Sequence, residues 1–127
     1  MDEKLQRKLI KKYPFMKRKK LTKDNTEIHT TYDLYGIETG DGWYDLIDDL
    51  LSKIGPVNVH QIKEKFGMLR FYCDSDSKEM SNIYDLIHEA EAKSATICEQ
   101  CGKPGKLRER RGWFRTICDE CGVIKEL

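Results

Sequence analysis

Apolar residues recur at helical spacing in two stretches of the chain. Over 43–54, Trp43, Leu46, Ile47, Leu50 and Ile54 fall on one face, with Asp41, Asp45, Asp48 and Asp49 largely off it. Acids near a helix N-terminus complement its dipole, and Gly55-Pro56 is a stop signal. Over about 78–96, Met80, Ile83, Tyr84, Ile87 and Ala90 form a second buried stripe. Between the helices, residues 57–73 alternate as a β-hairpin. Its turn is Glu64-Lys65-Phe66-Gly67, with Gly67 at positive φ.

The N-terminal pattern is less regular. Leu5, Leu9, Tyr13 and Met16 give a narrow helical stripe that Asp2 can cap and Pro14 ends or kinks. Ile28, Thr30, Tyr32 and Leu34 alternate over 27–39 as a weak strand, with Gly36 as a bulge. Gly40-Asp41-Gly42 reads as a turn and helix entry. The expected fold is α+β: a small β-hairpin or sheet packed by two amphipathic helices, with a C-terminal four-cysteine zinc ribbon. The division is 1–23 as a basic helix or arm, 24–97 as the α+β body, and 98–127 as a rigidly attached zinc-ribbon module.

Apolar residues are 39% of the 127 and charged residues 35%, which leaves a small core for the length and points to extra fastening. No run suits a membrane span, and MDEKLQRKLIKK has no apolar segment of signal type, so a cytoplasmic protein is expected. The net charge of +1 hides an asymmetry. Residues 1–23 carry ten Lys or Arg against two acids, whereas 24–55 carry eight acids against Lys53. Either the two blocks neutralise each other in the fold, or the basic end meets a polyanion.

The cysteines carry the sharpest signal. Cys98-Glu-Gln-Cys101 and Cys118-Asp-Glu-Cys121 are separated by sixteen residues, and a glycine follows each pair. Zinc takes four soft ligands in a tetrahedron, and two tight turns joined by a hairpin supply them. A disulfide framework needs an exported chain, and a redox CxxC needs a βαβ setting. Four thiolates close the coordination shell, so one structural Zn²⁺ is expected on Cys98, Cys101, Cys118 and Cys121. Such a centre has a formal charge of about −2, which nearby bases offset. Cys73 reads as a small buried hydrophobe. His29, His60 and His88 show no ligand spacing.

Residues 106–116 read as strand, turn at Arg111-Gly112, and strand. Trp113 and Phe114 either cover the hairpin and pack on the long helix or join Arg108, Arg110, Arg111 and Arg115 in contacting a ligand. Lys17, Arg18, Lys19 and Lys20 add either a second contact segment or a solvated basic run.

The strings at 40–47 (GDGWYDLI), 63–72 (KEKFGMLRFY) and 98–121 occur in an order that resembles a family of small uncharacterised phage, prophage and bacterial proteins. The resemblance spans about residues 36–121. It implies a phage or prophage setting, which favours proteins that bind host or viral machinery, and little about mechanism. The expected function, from the ribbon, its basic hairpin and the basic N-terminal arm, is a non-enzymatic zinc-ribbon protein that docks on a host or viral protein, or on nucleic acid, to regulate or inhibit it. Two alternatives stay open. One is a metal-dependent nuclease or hydrolase using Asp41, Asp45 and Asp48, or Glu64 with Lys63 and Lys65. The other is a protein that sequesters a small nucleotide signal through Trp43, Tyr44, Lys63 and Arg70.

Overall fold

The computed structural model describes residues 1–20 and 29–126. The start of the expected strand at Glu27 and Ile28, and residues 21–23 of the basic block, lie outside the described residues. Among the described residues, no helix is long and apolar enough to cross a membrane.

Helix α1 (Glu3–Lys12) begins where Asp2 accepts a hydrogen bond from the Lys4 N–H, and Lys11 and Lys12 complete its last turn. Pro14 opens a 3₁₀ turn, Pro14–Met16, where its missing N–H costs nothing. Leu9 and Met16 are fully buried in the same core as Trp43 and Ile47.

The stretch expected as a strand is instead a short helix, α2 (Thr31–Tyr35). Thr30 and Asp33 form a reciprocal capping box, which outweighs weak alternation. Tyr32 then turns inward, and its hydroxyl donates to the Met16 carbonyl at 2.6 Å. Gly36 is no bulge. It ends α2 at φ +69°, where a Cβ would stand 2.4 Å from Gln6 Oε1. Only Ile37–Glu38 is extended (β1), and it pairs in parallel with the next strand, Ile37 opposite Ile62.

A 3₁₀ turn, Asp41–Trp43, leads into α3 (Tyr44–Ile54), which Gly55 closes. Strands β2 (Asn58–Lys65) and β3 (Met68–Asp74) form the expected hairpin, and the sheet order is β1-β2-β3. Phe66 and Gly67 both have positive φ, the signature of a two-residue turn matched to strand twist. Helix α4 (Met80–Ser94) follows. Together α3 and α4 bury Leu46, Ile47, Leu50, Leu51, Ile83, Ile87 and Ala90 against Ile62, Leu69 and Phe71 of the sheet. Tyr84, expected in the buried stripe, is 45% exposed.

β3 is an edge strand, and α4 covers it. The Leu69 N–H donates to Ser94 Oγ at 2.9 Å and the Phe71 N–H to Glu91 Oε2 at 3.0 Å. Unpaired edge donors are thereby satisfied. The chain ends in a two-stranded hairpin, β4 (Lys106–Arg110) and β5 (Trp113–Ile117), then α5 (Asp119–Glu126). The architecture is thus α+β with small sheets, as expected.

Candidate metal centre and basic hairpin

Helix α4 runs almost directly into the first cysteine turn. Ile97 bridges Pro104, the Cys98 N–H donates to the Lys103 carbonyl at 2.8 Å, and the Gly102 N–H donates back to Cys98 O at 2.9 Å. Gly102 takes φ +84°, which a side chain would strain. The second pair closes similarly, with the Gly122 N–H on Cys118 O at 2.9 Å. There the expected turn is the first turn of α5, and Gly122 is not at positive φ. Its small size matters because Arg108 Nη1 lies 3.1 Å from where a Cβ would be.

The fold brings the four sulfurs of Cys98, Cys101, Cys118 and Cys121 within 4.8 Å of one another. Cys101 and Cys118 Sγ are 3.6 Å apart, and no disulfide joins any of them. Four thiolates about 2.3 Å from a tetrahedral ion would lie about 3.8 Å apart, so the cluster has the right size for one metal ion. The Cys121 N–H points at Cys118 Sγ from 3.4 Å, the kind of outer contact that orients a ligand.

Burial works against ionisation of Cys98, but backbone hydrogen bonds from Cys118, Cys101 and Gln100 outweigh it and bring the thiol down to about 6. Cys121 is pushed up to about 12, chiefly by its contact with the Cys118 thiol and by burial. Sulfurs this close cannot all ionise without a cation among them.

Two sets of contacts hold this unit to the body. On one side, the Gly42 N–H donates to Glu99 O at 2.7 Å, the Gly40 N–H to Glu99 Oε2 at 2.8 Å, and Trp43 Nε1 to Ile97 O at 2.9 Å. On the other, Thr116 Oγ1 donates to the Gly67 carbonyl at 2.7 Å, and Phe114 meets the edge of Phe66 at 6.2 Å. The glycine-rich string before Trp43 is therefore a docking surface for the first cysteine turn as well as a helix entry. Trp43, one of the residues expected to line a small-ligand pocket, is fully buried in the core.

The β4–β5 register divides the hairpin into two faces. Leu107 pairs with Thr116 and Glu109 with Phe114, and this face includes the contacts with the body. Lys106, Arg108 and Arg110 alternate onto the other face, opposite Ile117, Arg115 and Trp113. Arg111 and Gly112 make the turn, both at positive φ. Trp113 does not pack on α4 as one expectation had it; it is 72% exposed beside Arg108, Arg110, Arg111 and Arg115 around a cleft of about 270 Å³. Arg108 pairs with Asp119, and Lys103 with Glu120 at 3.2 Å. Part of the basic charge is thereby used close to the cysteines.

The second expected contact segment folds back on α2. Arg18 Nε donates to the Tyr32 and Asp33 carbonyls at 2.9 and 3.1 Å, the Lys19 N–H donates to Asp33 Oδ1 at 2.9 Å, and His29 Nε2 lies 3.4 Å from Lys20 O. Lys17 is exposed. Arg18 thus serves the carbonyl end of a short helix.

Asp41, Asp45 and Asp48 are not brought within reach of one shared metal ion. Asp48 takes hydrogen bonds from Tyr13 at 2.6 Å and Lys12 at 2.9 Å, Asp49 pairs with Lys53, and Asp41 accepts from the Asp2 N–H. Glu64 accepts from the Gly67 N–H and fastens the hairpin turn. Among the described residues, the four cysteines are the one group of three or more ligands close enough to share a metal. Cys73 is buried in the core, and burial pushes its thiol up to about 11. Comparison of the chain with protein-family models, with curated proteins and with solved structures returns no match.

Proposed function

We propose that this is a non-enzymatic zinc-ribbon protein that docks on single-stranded nucleic acid through the outer face of its C-terminal hairpin. The observation that carries the reading is Trp113, 72% exposed on a two-stranded hairpin and flanked by arginines. An exposed aromatic gives a base a stacking surface, and arginines beside it meet the phosphates. Nothing on this face resembles a recognition helix, so sequence preference is slight. Zinc is the ion that fits four thiolates in a closed shell, and its role is to hold the hairpin, since no position is left for a reacting water. The resemblance to small phage and prophage proteins fits a chain that acts by occupying a macromolecule, regulating or inhibiting it. A protein partner with an acidic, aromatic surface would use the same face.

Titration with short single- and double-stranded oligonucleotides at two salt concentrations tests the reading. Support is tighter binding of the single strand, steep loss with salt, and quenching of Trp113 fluorescence. No binding at low salt removes the nucleic-acid reading.

A further inference from the structure

A second cleft lies on the far edge of the main sheet, between β3 and α4, with a volume of about 290 Å³. That is near the lower end of small-ligand sites. The sequence gives no hint of it, because its residues come from three separate stretches. Phe71 and Cys73 belong to the core and meet the cleft from below. Tyr72 on β3 and Tyr84 on α4 line it, 44% and 45% exposed. His60 on β2 and His88 on α4 each add a ring, and Arg70 adds a guanidinium.

The position of His60 is built. Val59 pairs with Cys73 and Gln61 with Tyr72, so His60 is the extra residue of a β-bulge. Its Nε2 lies 2.5 Å from Asp74 Oδ2, and Asp74 Oδ1 accepts from Asn58 Nδ2 at 2.9 Å. The ring is thus fixed through one nitrogen, with the other left to meet a ligand. Both acids of the region are engaged: Asp74 holds His60 and Asn58, and Glu91 holds the Phe71 N–H. Arg70 uses one N–H on the Leu69 carbonyl at 3.4 Å, out of the five its guanidinium carries. Leu69 and Phe71 N–H groups point outward to α4, and strand alternation turns the Cys73 N–H to the same edge of the strand.

We infer that this cleft binds a small phosphomonoester carrying a planar ring, a mononucleotide, with the ring against Tyr84 and Tyr72 and the phosphate met by Arg70 and the two histidines. The site is independent of the hairpin and of the metal. Two tyrosines without a cation would suit any aromatic, and a cation without rings would suit any anion. The combination selects a ligand with both.

The test is a titration of the zinc-loaded full chain with uridine monophosphate, followed by NMR at the His60 and His88 ring protons, the Cys73 amide and the Trp113 indole. Saturable shifts at the first three, with Trp113 still, support the site. Inorganic phosphate should bind more weakly. Tyr84→Ala should weaken the nucleotide by about fivefold or more, and Tyr84→Phe should restore it. No saturable shift at millimolar nucleotide overturns the inference. So do equal affinities for nucleotide and phosphate, or shifts confined to Trp113. The hairpin reading fails separately, by loss of oligonucleotide binding at Trp113.

Discussion

Gly42 and Cys98 are in backbone contact: a Cβ on Gly42 would stand 2.1 Å from the Cys98 carbonyl oxygen and 2.6 Å from the Gly102 nitrogen. Neither atom can rotate away, since both belong to the first cysteine turn. Gly42→Ala should therefore destabilise the chain by more than about 2 kcal/mol and weaken metal retention together. Urea midpoints and a chelator competition check this. Ordinary stability with weakened metal binding would show that the clamp serves the centre alone.

One zinc ion per chain is expected in purified protein, measured by elemental analysis. Cys101→Ser should abolish tight binding and unfold residues 98–121, because metal binding supplies folding free energy in so small a unit. Amide exchange locates the loss. The sheet and α1–α4 should keep much of their protection, since the main core contains none of the four metal-site cysteines.

Trp113→Ala should change folding stability by less than about 0.5 kcal/mol, because the ring is mostly exposed. The same variant should cost about 1–3 kcal/mol in binding to single-stranded oligonucleotide. Arg110→Ala should instead reduce the slope of log affinity against log salt by about 0.7. Equal effects of the two variants on that slope would contradict separate stacking and phosphate roles.

Acid should loosen the attachment of α1. Burial works against the Asp48 carboxylate, but hydrogen bonds from Tyr13 and Lys12 outweigh it and hold its pKa below the ordinary value. Folding then favours the ionised form. The contribution is complete above the unfolded value near pH 4 and is lost as pH falls through the lower folded value. Asp33, held by Lys19 and Thr30 despite burial, has the same sign. Asp48→Asn should cost about 1 kcal/mol at neutral pH and flatten the fall in stability below about pH 4. An unchanged acid profile in that variant would place the acid sensitivity elsewhere.

Thr116 joins the hairpin to the body through a fully buried hydroxyl. Thr116→Val keeps the volume and leaves the Gly67 carbonyl without its donor. A cost of about 1–3 kcal/mol is expected in denaturant unfolding.

The features legible in the chain were those set by neighbours in sequence. Asp2 caps α1, Gly55 ends α3, and Gly67 and Arg111-Gly112 turn their hairpins, because capping and positive φ depend on a few adjacent residues; the first turn is tighter than expected, since Glu64 and Lys65 stay in β2 and Phe66 also takes positive φ. Two CxxC pairs named the cysteines that the fold gathers into one cluster for the same reason: each pair fits one turn. Where two local signals competed, as at Thr30–Tyr35, the capping box prevailed over alternation, and pattern alone could not weigh them. Long-range placement was not legible. Gly42 meets Cys98 across fifty-six positions of chain, Trp113 faces solvent because Phe114 and Leu107 take the inner side of the hairpin, and His60 reaches the cleft of His88 through a bulge. Each of these depends on which face of an element meets another, and that is fixed by the packing of the whole core.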